Sequence, residues 1–265
     1  MIWEGLGDTG PMQSSRVLKR IERRFELSPK VAFLILGTVL LGLVVLFCVG
    51  THEVYEAVND GDGVAQLDQP VLDLVVANRG PVLTWLATAV TFLADRIMIP
   101  VFAIVAIAVF TKLRRSWMST VVMVTGMLGS LLLTVVGKNI AGRDRPPEER
   151  ALPPFETSPA FPSGHTQNST VLVVLIGYLV IRTVERTWLR RTLLGILAAF
   201  PVFVSLSRVY LGQHWLTDTM AGGLVGLAWG LAVVVAHKVL RAVLLSRSGE
   251  VDGRKVDELE RSAAE

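Results

Sequence analysis

The chain has 265 residues, of which 51% are hydrophobic and 18% charged, with a formal net charge of +3. A soluble domain carries about a quarter charged residues, so this composition excludes an ordinary soluble protein, and the small net charge gives no footprint for nucleic acid. The single cysteine, Cys48, excludes an intrachain disulfide and says nothing about redox compartment.

Residues 1–30 carry six Lys and Arg and are followed by "VAFLILGTVLLGLVVLFCVG", residues 31–50, without a charge. About 20 apolar residues span a bilayer as a helix. The leader is long and no small-x-small cleavage site follows the apolar run, so Val31–Gly50 reads as a retained signal anchor. Residues 51–80 begin acidic and polar, then place Val64, Leu67, Val71, Leu74 and Val75 at helical spacing. That stripe suits a helix lying in the membrane interface or a short packing helix. "PVLTWLATAVTFLA", residues 81–94, runs into the next apolar run through Asp95 and Arg96. It reads as a re-entrant half-helix or as the outer end of one tilted span. The remaining spans are expected at 95–111, 117–137, 165–181, 192–208 and 215–237, making six. In the last, Gly222, Gly226 and Gly230 recur every four residues, a spacing that lets helices approach closely in lipid; packing within the chain is the expected use, with dimerisation the alternative. The polar tail from Lys238 to Glu265 is expected to be disordered at its end.

Lys and Arg accumulate on the cytoplasmic side of membrane proteins. Along a six-span path, nineteen of the 26 fall on one side, in 1–30, "TKLRRS", "RTVERTWLRR" and the tail. Both termini are therefore expected in the cytoplasm. The other seven include four in "GKNIAGRDRPPEER" and Arg208 in "SRVYLGQHWLTD", residues 207–218. The rule disfavours them there, so they require a reason.

Three clusters share that outer face: Lys138 with Arg145 and Pro146; "PSGH", Pro162–His165; and Arg208, His214 and Asp218. Arginine offers a planar fork to phosphate oxygens and lysine a point charge. Ser163 adds a hydroxyl. If a helix starts at "PSGH", the amides of Gly164 and His165 are free to meet an anion. If the last helix begins near Gly212, His214 and Asp218, four apart, share one of its faces, so the carboxylate can accept from one ring nitrogen and leave the other as nucleophile or base. His165 is then free to act as general acid. Singly, Lys138 reads as a snorkelling side chain, His214 and Ser163 as caps, and Asp218 as polar glue. Together on one face they mark function, because intramembrane ionisable groups are costly. His52 and His237 match no such pattern and receive no role.

These three stretches, "KNIAGRDRP" (138–146), "PSGH" (162–165) and "SRVYLGQHWLTD" (207–218), resemble in order the K-x6-R-P, P-S-G-H and S-R-x5-H-x3-D motifs of the type 2 phosphatidic acid phosphatase (PAP2) superfamily. That superfamily shares its site with vanadium haloperoxidases. The resemblance implies an all-α polytopic bundle with a six-helix membrane domain over 31–237, residues 51–94 forming its outer segment. It implies that His214 attacks phosphorus, Asp218 orients it, and His165 protonates the leaving oxygen and then activates water. Lys138, Arg145, Ser163, Gly164 and Arg208 would hold the phosphoryl oxygens, with no metal and no cofactor. One departure is Asp144, where many members have proline; it is placed to pair with Arg143 or Arg145, and Arg143 stands as a helper to Arg145 at phosphate.

The expected function is metal-independent hydrolysis of a lipid phosphate or isoprenyl diphosphate at the outer face of a bacterial plasma membrane. The expected partners are membrane lipids and the lipid phosphate substrate, not nucleic acid; the sequence leaves the oligomeric state open. Transfer to a lipid or sugar acceptor would use the same residues. A vanadate-dependent haloperoxidase and a non-catalytic anion-binding membrane protein are the further alternatives.

Overall fold

The computed structural model describes residues 29–264, so the basic leader lies outside the described residues. Among the described residues there are eight α-helices: α1 (Pro29–Asp60), α2 (Asp68–Ala77), α3 (Pro81–Leu93), α4 (Met98–Arg114), α5 (Met118–Ala141), α6 (Gly164–Thr183), α7 (Thr187–Tyr210) and α8 (Leu216–Ala264). Short 3-10 turns cover Gly63–Leu67 and Glu148–Arg150.

Five of these helices are long and apolar enough to cross a membrane, and α3 with α4 form a bent pair that brings the number to six. Five of the six expected spans thus correspond to single long helices and the sixth to the bent pair, with longer helices than hydropathy alone marks. α1 continues ten residues past Gly50, and α8 continues through the polar tail to Ala264. The tail's sequence contains several strong helix formers, so backbone hydrogen bonding carries on from the apolar segment where composition suggests disorder. The α3–α4 pair is two helices meeting at 53° across residues 94–97. The break falls at Asp95 and Arg96, the polar interruption of the apolar run.

α6 is the central helix. It packs on α4, α5, α7 and α8, and 61% of its apolar window is buried, against 0% for α1 at the edge. Its lower half contributes Leu172, Leu175 and Leu179 to a core with Met123 of α5 and Val233 of α8. Its upper half is polar: Gln167 donates to the Ser130 carbonyl at 2.9 Å, and Ser130 donates to Asn168 Oδ1 at 2.6 Å. In lipid such bonds hold helices together, because an unpaired group has no water to turn to. Leu34, Trp85, Ile104, Leu128, Trp188 and Ile196 point outward, each more than half exposed. A belt of that size is a lipid-facing surface.

The glycine stripe of α8 lies against α6. A Cβ would meet the Ser163 carbonyl oxygen at 2.6 Å from Gly222, Thr170 Cβ at 2.7 Å from Gly226 and Val174 Cγ1 at 2.9 Å from Gly230. The stripe therefore serves packing within the chain, as expected. α2 follows the proposed apolar stripe only partly. Leu67 and Leu74 are exposed, while Leu72 and Asp68 are the buried residues.

Candidate active site

All three motif clusters meet at one end of the bundle. Lys138 lies in the last turn of α5, "PSGH" opens α6, Arg208 lies in the last turn of α7, and His214 and Asp218 flank the start of α8.

The link from α7 to α8 is a tight reversal. Gly212 has a φ of +67°, and a Cβ there would sit 2.5 Å from the Arg150 carbonyl oxygen. Only glycine suits both conditions. Arg79 donates to the Tyr210 carbonyl through Nε at 3.1 Å and Nη2 at 2.8 Å, satisfying the end of α7. Arg79 is one of the seven cations expected on the outer side, and its reason is structural. Asp218 in the first turn of α8 reaches back to the Trp215 amide at 2.8 Å, which is half of a capping box. The same carboxylate oxygen lies 3.4 Å from His214 Nδ1. With the ring proton on Nδ1, the lone pair of Nε2 is free, and Nε2 lies 3.4 Å from Arg145 Nη1.

His214 is 1% exposed. Burial, with Arg208, Arg145 and Lys138 nearby, holds its imidazole well below the usual value of 6.5. A neutral ring at physiological pH is what a nitrogen nucleophile requires. Burial also lowers Arg145, with Glu156 and Asp218 acting in the opposite direction.

The cations converge. Arg145 donates from Nε to the Ser158 carbonyl at 2.7 Å and from Nη1 to the Gln213 carbonyl at 2.6 Å. Lys138 Nζ donates to Ser158 Oγ at 3.2 Å and to the Pro159 carbonyl. Arg208 is fully buried, donating to Thr91 Oγ1 at 3.2 Å and to Glu156 Oε1 at 3.3 Å, while its Nε has no partner. Ser163 is buried at the N-cap of α6, and its hydroxyl oxygen accepts from Thr166 at 3.3 Å. The N-terminal amides of α6, including those of Gly164 and His165, have no intrahelical acceptor. Gly164 also has a packing reason, since a Cβ would meet Thr134 Cγ2 of α5 at 2.9 Å.

His165 stands between two carboxylates, with Nδ1 3.8 Å from Glu156 Oε1 and Nε2 3.9 Å from Asp95 Oδ1. Motif reading missed both. Asp95 carried a signal as an acid interrupting an apolar run. Glu156, in the loop between α5 and α6, carried none. A cavity of about 430 Å³ joins this end of the site to the lipid-facing side of α4 and α5, lined by Lys138, Arg145, His165 and His214 at one end and by Ile104, Leu128 and Leu131 toward the membrane.

Two expectations need correction. Arg143 does not face the phosphate cluster. Its guanidinium binds Asp218 Oδ1 at 2.6 Å and Asp68 Oδ2 at 2.7 Å, because two buried carboxylates compete for it more strongly than open solvent does. Asp144 forms no ion pair with Arg143 or Arg145 among the described residues; its carbonyl accepts from Trp215 Nε1 at 3.0 Å. His237, at the opposite end, lies 2.7 Å from Tyr178 Oη, and His52 is exposed near Glu56.

Glu156 lies among the groups that would hold an anion, 3.3 Å from Arg208 Nη2 and 3.8 Å from Arg145 Nη2. An anion entering this cluster would compete with it. Glu156→Gln is expected to tighten inhibition by inorganic phosphate by about threefold to tenfold, since opposite charges a few ångströms apart interact by several times thermal energy. A titration of phosphate release against added phosphate measures this, and an unchanged inhibition constant would contradict it.

The model of the PAP2 superfamily matches residues 119–242, which contain every motif residue named above. The chain is 28% identical to phosphatidylglycerophosphatase B of Bacillus subtilis over 173 residues, covering 63% of this chain and 81% of that one. It is 32% identical to an undecaprenyl-diphosphatase of Sulfolobus acidocaldarius over 136 residues, half of this chain and 59% of the relative. Its fold superposes on the crystal structure of a transmembrane PAP2-type phosphatidylglycerolphosphate phosphatase from Bacillus subtilis with a TM-score of 0.66 at 26% identity, covering 72% of this chain and 93% of that one. With the three motifs gathered at one end of an all-helical bundle, residues 119–242 of the chain are similar to the PAP2 superfamily.

Proposed function

We propose that the protein is a metal-independent membrane phosphatase that hydrolyses a lipid phosphate or isoprenyl diphosphate through a phosphohistidine. The observation that carries the reading is the buried His214, with Nδ1 3.4 Å from Asp218 Oδ2 and Nε2 3.4 Å from Arg145 Nη1. Anion binding alone has no use for an oriented nucleophile.

In the first half-reaction Nε2 forms a bond to phosphorus while the bond to the leaving oxygen breaks. His165 gives that oxygen a proton, and the alcohol or lipid monophosphate departs. In the second, His165 takes a proton from water, the hydroxide attacks phosphorus, and the P–N bond breaks to release inorganic phosphate. Lys138, Arg145, Arg208, Ser163 and the α6 amides stabilise the charge on the equatorial oxygens, where phosphoryl transfer gains most from fixed cations.

The cavity supports an amphiphilic substrate, because its polar end holds the motif residues and its other end opens between apolar side chains of α4 and α5. The named activities of the relatives, on phosphatidylglycerophosphate and undecaprenyl diphosphate, agree with such a substrate. The distribution of Lys and Arg supports a site on the outer face of the membrane with both termini in the cytoplasm.

The test is phosphate release by purified protein in detergent, with EDTA, over a panel of phosphatidic acid, phosphatidylglycerophosphate, and isoprenyl phosphates and diphosphates. Release that persists in EDTA is expected for at least one of them. Folded protein that releases phosphate from none of the panel would rule the hydrolase reading out in favour of transfer to another acceptor.

A further inference from the structure

Outside the motifs, one group of side chains is more tightly bonded than the cradle itself. Asp68, the first residue of α2, is 5% exposed although it lies in the segment between the first two spans. Its Oδ1 accepts from the Thr217 amide at 2.9 Å, and its Oδ2 accepts from Thr217 Oγ1 at 2.6 Å. Oδ2 also pairs with Arg143 Nη2 at 2.7 Å. The other arm of the same guanidinium, Nη1, donates to Thr217 Oγ1 at 2.7 Å and to Asp218 Oδ1 at 2.6 Å. Arg143 further lies over the Trp215 ring, 5.6 Å from its centroid.

From this geometry we infer that Asp68 and Arg143 are positioning residues for the nucleophile, acting through Asp218 on His214. The inference rests on the hydrolase reading above. Asp218 has no exposure, and its two oxygens are fully used: Oδ1 by Arg143, Oδ2 by the Trp215 amide and His214 Nδ1. A buried carboxylate held through Oδ2 alone would pivot about that oxygen and would lack a counter-charge. Arg143 removes both faults, since its planar fork engages two carboxylates in fixed directions.

Asp68 has a separate effect. It satisfies an orphan amide in the first turn of α8, the helix that carries Asp218, and so fixes where that turn stands. It also holds Arg143 away from the phosphate cluster, so that the cradle's positive charge comes from Lys138, Arg145 and Arg208 alone. The orientation of His214 therefore depends on α2, which lies outside the region matched by the family model.

A positioning role makes a kinetic demand that a phosphate-binding role does not. If Arg143 held phosphate, its loss would weaken the binding of substrate and product. If it aligns His214, binding stays and the chemical step slows. A displacement of about 1 Å in a reacting group can cost about 100-fold in rate.

The experiment uses the full chain, purified in detergent, as wild type, Asp68→Asn, Asp68→Ala, Arg143→Lys and Arg143→Met, with His214→Ala alongside and a thermal melt for each. The readouts are kcat, KM, inhibition by inorganic phosphate, and inhibition by orthovanadate, which takes the five-coordinate geometry of the transfer state and so reports alignment. Expected for Arg143→Met and Asp68→Ala is a fall in kcat of about 10-fold to 100-fold. KM and phosphate inhibition should stay within about twofold, and vanadate inhibition should weaken by the same factor as kcat. Arg143→Lys, which keeps the charge without the fork, should recover part of the loss. Asp68→Asn and Arg143→Lys carry the test if the harsher variants fail to fold. Unchanged kcat would overturn the inference. So would a raised KM with weaker phosphate inhibition, which would make Arg143 a phosphate ligand. Wild type without phosphate release would instead overturn the hydrolase reading on which the inference rests.

Discussion

His214→Ala is expected to reduce phosphate release by about 10⁴-fold or more, the scale seen when a member of a nucleophile–base set is lost. His165→Ala is expected to behave differently, and the difference is the more informative result. The two histidines stand on different elements, His165 in the first turn of α6 and His214 in the turn before α8, with different surroundings. His214 is buried, with Nε2 toward Arg145, whereas His165 stands at the start of α6 between Glu156 and Asp95. Only His214 can keep one nitrogen for bond formation while the other is held by Asp218. An aryl phosphate, whose phenolate leaves without protonation, needs no general acid in the first step. With it, His165→Ala should release one equivalent of phenol in a burst and then stall, because the water that cleaves the P–N bond has lost its base. The stalled protein should carry one phosphate that is labile in acid and stable in base. His214→Ala should show neither burst nor labelled protein. A burst from His214→Ala would place the nucleophile elsewhere.

The second large effect concerns packing. Gly222→Ala is expected to lower stability by about 1–3 kcal/mol, the usual range for overpacking, and to slow turnover as well. The added methyl would lie 2.6 Å from the Ser163 carbonyl oxygen, which is backbone and cannot rotate away. The Ser163 amide is held from the same helix by the Asp218 carbonyl at 2.9 Å. Forcing α8 away from Ser163 therefore moves the "PSGH" turn relative to His214, so the stability loss and the rate loss should arrive together. Gly223→Ala is the control, because its Cβ would meet only Thr166 Cγ2 at 3.9 Å, an ordinary contact. Thermal melts and kcat on both variants check the pair. Equal behaviour of the two would show that α8 yields more readily than this close approach implies.

The sequence by itself determined the all-helical membrane class of the protein, and it nominated the six spans and the eight residues of the candidate site. It could do so because hydropathy is a local property and because the motifs have fixed spacings. A shared helix face for His214 and Asp218 needed a helix beginning near Gly212; α8 begins at Leu216, so His214 lies in the turn before it and still comes within 3.4 Å of Asp218. Close packing at Gly222, Gly226 and Gly230 was also legible, because small residues at that spacing let helices approach in lipid, but only the fold shows that the partner is α6 of the same chain and not a second copy. What only the tertiary structure decided are the contacts between charged groups distant in sequence. Arg143 and Arg145 are two residues apart and have the same side chain, yet one binds Asp68 and Asp218 while the other borders His214. Asp144 pairs with neither, and Glu156 meets Arg208 from 52 residues away. Spacing fixes which face of its own helix a residue occupies. It does not fix which partner a long charged side chain finds, because that depends on where another helix brings the opposite charge and on how little water remains between them.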